Sequence, residues 1–135
     1  MPRLLTLAAF LAGLMAALPL RADESAFRSV ISDQITAFQA DDFDRAFTFA
    51  SPSIQGIFQT PENFGRMVRE GYPMVWRPAD VTFLEAEVIA GQLWQSVMVR
   101  DGQGALHILE YQMIETEAGW KINAVRMRPA PPGLT

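Results

Sequence analysis

The sequence predicts an α+β domain in which N-terminal helices pack on one face of a curved, four-stranded antiparallel sheet. Up to residue 70, apolar residues recur at steps of three and four, which is the period of amphipathic helices. After Pro78 the chain changes to runs rich in β-branched, aromatic and aliphatic residues, which are typical of strands. Short turns separate these runs, so consecutive strands should pair antiparallel. Helices followed by such a meander indicate the α+β class.

Four helices are predicted in the first half of the chain. They span residues 25–40, 43–50, 53–59 and 61–70. Each carries an apolar stripe that would face a common core. The last one also has both end signals, because Thr60 can cap it, Pro61 fits its first turn and Gly71 is a natural stop.

Four strands are predicted in the second half. They span residues 81–89, 93–100, 105–116 and 120–128. The intervening segments are Ala90-Gly91, Asp101-Gly102-Gln103-Gly104 and Glu117-Ala118-Gly119, all of which contain turn-forming glycine. The whole chain shows no internal repeat, so a single domain is expected.

The N-terminal segment has the order of a secretory signal peptide. Arg3 supplies a positive charge, residues 4–20 are almost wholly apolar, and the composition becomes polar and acidic from Asp23. This order predicts cleavage after Ala22, a single domain over residues 23–128 and an extended tail over residues 129–135. A retained membrane anchor is the alternative, but the apolar run of about 17 residues lies at the bottom of the spanning range. A periplasmic or secreted location is expected, with no membrane association after cleavage.

The predicted mature chain is acidic and lacks cysteine. Removal of residues 1–22 takes away two arginines, which leaves nine basic and 15 acidic residues and a net charge of −6. Such a surface repels phosphate backbones, so nucleic acid is an unfavourable partner. The fold must be stable without disulfides. Because His107 is the only histidine, structural zinc is excluded, and no cofactor is expected.

Asp41, Asp42 and Asp44 form an acidic cluster between the first two predicted helices. Clustered oxygens are the ligands that calcium prefers. A calcium site would also need a glycine turn and a distal ligand, and neither is evident in the sequence. These residues are explained locally as helix caps and as charges that compensate the helix dipole, so no metal site is predicted.

The segment Tyr72-Pro73-Met74-Val75-Trp76-Arg77-Pro78 holds large apolar side chains between two prolines. The prolines restrict the backbone, so the segment loses little entropy on ordering. Tyr72 and Trp76 each combine an apolar body with a polar tip, as residues in half-wet clefts do. Two interpretations stay open. Tyr72, Met74 and Trp76 line the rim of a ligand pocket, or the segment simply plugs the core.

Residues 31–78 resemble a bacterial exported family called domain of unknown function 4864, most specifically in "AFQADDFDRAFTFASP" and "MVREGYPMVWRP". "GWKI" at residues 119–122 fits the same family, whose closing strand carries Gly-Cys where this chain has Asn123-Ala124. This departure removes any thiol role. The family is similar to the nuclear-transport-factor-2-like or SnoaL-like superfamily of cystatin-like, cone-shaped α+β domains. The resemblance therefore implies an enclosed pocket, but no particular reaction.

The strand "ALHILEYQMIE" contains the candidate acid–base residues. His107 and Tyr111 fall on one face and Glu110 on the other, so His107 could act as a base with Tyr111 as hydrogen-bond donor. The alternative is a half-exposed histidine and a core tyrosine. Glu85 and Glu87 lie about 7 Å apart on one face, which suits a carboxylate pair but is more typical of a solvated face.

Three functions are compatible with these patterns. The first is an exported, non-catalytic protein whose pocket binds a small apolar or amphipathic ligand or a partner segment, with Tyr72, Met74, Trp76, His107 and Tyr111 as candidate pocket residues. The second is a SnoaL-like isomerase or dehydratase that uses His107 and a tyrosine. The third is an interaction module that forms a homodimer through the outer face of its sheet. We favour the first, because no convincing acid–base constellation is evident.

Overall fold

The structure, a computed structural model, describes residues 18–129 and their side chains from Asp23 onward. In this part of the chain, five helices precede four strands. The helices are α1 (Leu18–Gln39), α2 (Phe43–Thr48), α3 (Pro52–Phe58), α4 (Pro61–Gly71) and α5 (Pro73–Trp76). The strands are β1 (Asp80–Ile89), β2 (Gln92–Arg100), β3 (Leu106–Thr116) and β4 (Gly119–Arg128).

The four strands form one open antiparallel sheet in the order β1-β2-β3-β4. The helices pack on one face of this sheet, mainly through α1 and α3 against β4 and through α5 against β2. The predicted α+β class and the predicted four-stranded meander are therefore confirmed. Each strand begins and ends within one residue of its predicted bounds, because the turn-forming segments between the strands are local signals.

Three short helices begin at side-chain caps. Asp42, Ser51 and Thr60 each accept a hydrogen bond from the backbone N–H three residues later, at 3.1, 3.2 and 3.1 Å respectively. These bonds satisfy N–H groups that the first helical turn leaves without partners. Asp42 thus has the capping role that the sequence predicts.

The described part of helix α1 spans Leu18–Gln39, so the helix extends N-terminal of Ser25, where the sequence predicted its start. The predicted cleavage position after Ala22 lies within this helix, so cleavage would leave a mature chain that begins in helix α1 at Asp23. Most of the predicted signal peptide (residues 1–17) and most of the predicted tail (residues 130–135) lie outside the described residues. No helix in the described range is both long enough and apolar enough to cross a membrane.

Helix α5 is a single turn that the sequence analysis did not predict. The Tyr72 N–H donates to the Val68 carbonyl at 2.8 Å and so completes α4, while the Val75 N–H donates to the Tyr72 carbonyl at 2.9 Å. Gly71 is the last residue of α4 and does not reverse the chain. Pro73 starts the next turn, because its fixed φ suits a first helical position.

The core lies between the helical layer and the inner face of the sheet. It is built from large side chains that are at most 2% exposed, namely Phe27, Ile31, Phe38, Val97, Val99, Leu109, Tyr111 and Met113. On β2 and β3 the inward residues alternate with outward ones, as the two-residue period of a strand requires. The apolar stripes predicted for α1 and for these strands therefore meet in one core.

A short parallel bridge ties the helical half to the edge of the sheet. Ala50 pairs with Ile122, the Ser51 N–H donates to the Ile122 carbonyl at 2.8 Å, and the Ile122 N–H donates to the Phe49 carbonyl at 2.9 Å. The Ser51 hydroxyl also donates to Asn123 Oδ1 at 2.7 Å. The segment between α2 and α3 thus covers part of the β4 edge, which would otherwise present unpaired backbone groups.

Two β-bulges interrupt the sheet, one between Phe83 and Ala86 in β1 and one between Gln112 and Met113 opposite β4. Inside the first bulge, the Leu84 carbonyl accepts a hydrogen bond from Gln95 Nε2 at 2.9 Å. A bulge bends its strand and increases the local twist. The interruptions therefore bend both sides of the sheet.

Gly65 allows α4 to approach α2 closely. A Cβ at this position would lie 2.8 Å from Phe43 Cδ1, whereas a Cβ at Gly56 in α3 would meet nothing within 4 Å. We expect Gly65→Ala to lower the free energy of unfolding by about 1–2 kcal/mol, because overpacking outweighs the gain in helix propensity. Gly56→Ala should raise it by about 0.5–1 kcal/mol. Urea unfolding of both variants checks this pair, and equal effects would contradict the close approach.

Candidate functional site

A cavity of ≈ 280 Å³ lies between the helical layer and the inner face of the sheet. Its helical wall comes from apolar stripes of α1, α3 and α4 and includes Phe38, Ile54, Phe64, Met67 and Val68. These positions follow the helical period, which points each stripe toward the sheet. The helical wall is therefore formed by the same patterns that produce the core.

The sheet wall comes from neighbouring positions of β3 and β4. Tyr111 is the register partner of Val125, and both line the cavity together with Ile122 and Ala124. The bulge opposite Gln112 and Met113 lies beside this wall and shifts the alternation of β4.

Three polar side chains reach the cavity lining, and two of them hydrogen-bond to backbone carbonyls. Gln34 Nε2 donates to the Ala46 carbonyl at 3.2 Å, and the Tyr72 hydroxyl donates to the Val125 carbonyl at 3.3 Å. The lining contains no carboxylate, imidazole or cationic side chain among the residues that the structure describes. The cavity is thus apolar with a few neutral polar groups.

Tyr111 is the third polar residue, and its hydroxyl is buried without a partner. The residue is 1% exposed, and within residues 18–129 its hydroxyl oxygen has no hydrogen-bond partner. Burial raises the pKa of the Tyr111 hydroxyl far above its usual value, with a further contribution from the nearby Tyr72. The hydroxyl therefore stays protonated and remains available as a neutral donor.

The structure places His107 away from the cavity. It lies near the start of β3, where its Nε2 is 2.8 Å from Asp101 Oδ2 at the β2–β3 turn. Four residues along a strand separate it from Tyr111 by about 13 Å. The hydrogen bond with His107 is the main cause of a lowered Asp101 pKa. The base-and-donor pair expected for an isomerase is therefore not assembled at the cavity.

The segment between the two prolines divides into a cavity part and an anchoring part. Tyr72 and Val75 line the cavity, and Met74 is buried in the core. Trp76 Nε1 instead donates to Asp41 Oδ1 at 2.9 Å, beside an ion pair from Arg77 to the same oxygen at 2.9 Å. Of the five predicted pocket residues, Tyr72 and Tyr111 line the cavity, whereas Met74, Trp76 and His107 lie outside its lining.

The outer face of the sheet is polar near its centre. Glu110 accepts a hydrogen bond from Arg126 Nε at 2.8 Å, and the Arg126 guanidinium stacks over Trp94 at 3.9 Å from the ring centroid. Glu85 and Glu87 are exposed on β1, as a solvated face requires. This face therefore carries charged and stacked groups beside the apolar register partners Met98 and Ile108.

The sequence patterns did not predict most of the cavity lining, including Gln34. Gln34 is buried and lies within the apolar stripe of α1, three residues after Ile31 and four before Phe38. A polar residue inside an apolar stripe is a readable signal of a buried hydrogen bond or a polar site. The apolar lining residues could not be recognised in the sequence, because the core and the walls of a cavity are built from the same types of residue.

The two tyrosines offer a matched test of the hydrogen-bond assignment. Tyr72→Phe should lower the free energy of unfolding by about 0.5–1 kcal/mol, because it removes a bond to a backbone carbonyl. Tyr111→Phe should leave it unchanged or raise it by about 1 kcal/mol, because it removes a buried hydroxyl that has no partner. Denaturant unfolding of the ligand-free variants checks this, and a clear loss of stability in Tyr111→Phe would contradict the assignment.

Asp41 should make stability depend on pH. Its pKa is lowered from 3.8, first by the hydrogen bond from Trp76 and then by the one from Arg77. A lowered folded-state pKa stabilises the fold above the unfolded-state value, and this contribution is lost as the pH falls through the folded-state value. The stability difference between the natural chain and Asp41→Asn should therefore shrink below pH 3.8.

Asn is a suitable replacement because Asp41 has φ 55°, a conformation that Asn also tolerates. Urea unfolding of both chains from neutral to acidic pH measures the difference. A difference that stays constant over this range would contradict the role of the Asp41 charge.

Comparison with curated proteins finds no match, and comparison with solved structures finds none either. The family model described as "Domain of unknown function (DUF4864)" matches residues 20–133. The matched range contains every residue that lines the cavity and all four strands. The chain therefore belongs to the family Domain of unknown function (DUF4864).

Proposed function

We propose that this chain is an exported, non-catalytic protein that binds one small, largely apolar molecule in the cavity between its helices and its sheet. The observation that carries the proposal is the cavity itself, ≈ 280 Å³ in volume and lined mainly by aliphatic and aromatic side chains. Ligand sites are typically apolar concavities with a small number of polar groups, and this volume lies just below their usual range of about 300–1,000 Å³.

The chemistry of the lining favours binding over catalysis. Proton transfer in an apolar pocket needs a carboxylate or imidazole within reach of the substrate. The described lining has neither, and the raised pKa of Tyr111 makes its hydroxyl a poor acid at neutral pH. Isomerase or dehydratase chemistry by His107 would need that residue to move from its Asp101 partner into the cavity.

The proposal includes a SnoaL-like, cone-shaped fold and export through a cleaved signal peptide. Helices on one face of an antiparallel sheet and two bulges that bend this sheet support the fold. Cleavage after Ala22 would retain the part of α1 that supplies Phe27, Ile31 and Phe38 to the core. A mature chain beginning at Asp23 would thus keep the helical wall of the cavity.

Cyclohexane is a suitable probe, because it is small, apolar and free of hydrogen-bonding groups. We expect it to bind the chain from residue 23 onward and to shift the methyl NMR signals of Val68, Ile122 and Val125, which line the cavity. Val125→Phe should weaken this binding at least tenfold, because Val125 shares the inner face of the sheet with its register partner Tyr111 and the larger side chain occupies the cavity volume.

Val88→Phe is the matched control, because Val88 is 62% exposed on β1. It should bind cyclohexane like the natural chain. Denaturant unfolding of both phenylalanine variants shows first that each is folded. If cyclohexane causes no methyl shifts at the cavity, or if both variants bind it equally, the cavity is not the binding site and the proposal fails.

A further inference from the structure

Two buried side-chain atoms lack a hydrogen-bond partner in the described part of the chain, Gln95 Oε1 and the Tyr111 hydroxyl. Gln95 faces the core beside the β1 bulge and uses its Nε2 for the Leu84 and Ser96 carbonyls. Only Tyr111 of these two lines the cavity. A buried polar atom without a partner is uncommon and costs free energy, so the position of this hydroxyl needs an explanation.

A water at this hydroxyl would be replaceable by a ligand. A buried water usually makes two to four hydrogen bonds, and cavities lined by apolar groups stay dry. The Tyr72 hydroxyl and the Gln34 amide nitrogen, the other polar groups of the lining, already donate to backbone carbonyls. A water at Tyr111 could donate to the two acceptors that remain in this lining, the Tyr72 oxygen and Gln34 Oε1, and an acceptor oxygen on a bound molecule would replace this water as the partner of Tyr111.

The chemistry of the hydroxyl identifies the complementary group. Because burial keeps Tyr111 protonated, it presents one O–H donor to the cavity. An acceptor oxygen on a bound molecule would satisfy it. A charged acceptor such as a carboxylate would enter without a cationic partner, since the described lining supplies none, and burial of an unpaired charge is strongly unfavourable.

Resting on the proposed function, we infer that the ligand is a neutral, largely apolar molecule with an acceptor oxygen, and that the Tyr111 hydroxyl donates to this oxygen inside the cavity. Ethers, esters and ketones carry such an oxygen. Tyr111 is then the residue that orients the ligand, while the aliphatic and aromatic walls supply the area that it buries.

Tetrahydropyran and cyclohexane form a matched pair of probes, because they differ only in one ring oxygen and have nearly the same shape. The ether oxygen loses its bonds to water on entry, so each probe is compared between proteins and not with the other probe. We expect Tyr111→Phe to weaken tetrahydropyran binding about 3- to 10-fold. The same substitution should leave cyclohexane binding unchanged or slightly stronger.

Methyl NMR titrations of the natural chain and of Tyr111→Phe measure both affinities. The Tyr111 ring carbon that carries the hydroxyl gives a second readout, because tetrahydropyran should shift its signal and cyclohexane should not. The expected result is loss of affinity in Tyr111→Phe for the oxygen-containing probe alone.

The outcomes separate this inference from the proposed function. If cyclohexane binds but Tyr111→Phe affects both probes equally or neither, the inference about the acceptor oxygen is overturned and the apolar site stands. If neither probe binds the natural chain, the proposed function fails and the inference fails with it. A tetrahydropyran effect without any shift at the Tyr111 ring carbon also overturns the direct hydrogen bond.

Discussion

The parallel bridge between Ala50 and Ile122 is the contact on which the cavity depends. It joins the helical half of the chain to β4 by backbone hydrogen bonds, and Ala50 and Ile122 both line the cavity. The bridge holds the start of α3 against the sheet edge, while α1 packs over the inner face. The spacing between helices and sheet is thus set at this edge, and the cavity is the volume that remains between them.

The cavity lowers the stability of the fold. An unfilled cavity forgoes packing interactions on every wall, and a hydroxyl without a partner adds the cost of its desolvation. Both features occur together at Tyr111, in a core that elsewhere buries large side chains such as Phe27 and Leu109 completely. A fold that served packing alone would favour phenylalanine at position 111. The combination is instead typical of a binding site, where a ligand supplies the missing contacts.

Residues 72–78 have two roles, because α5 is only one helical turn long. This turn directs Met74 and Val75 inward and Trp76 toward the end of α1, where Asp41 accepts hydrogen bonds from Trp76 and Arg77. Tyr72 lies just before the turn and reaches β4. The ends of the segment therefore attach to different parts of the fold, so the wall that it forms is held from both sides.

The sequence by itself determined the order, type and approximate bounds of the helices and strands, because periodicity, caps such as Thr60 and glycine-containing turns are local signals. It did not determine α5, where Pro73 and the Tyr72 carbonyl begin a further helical turn directly after Gly71. The two-residue period of a strand correctly placed His107 and Tyr111 on the same face of β3. This period does not tell which residues of that face the helices cover. Only the tertiary structure decided that Tyr111 and Tyr72 line the same apolar cavity and that His107 pairs with Asp101 at a turn, because the packing of the helices on the sheet decides which strand positions they cover.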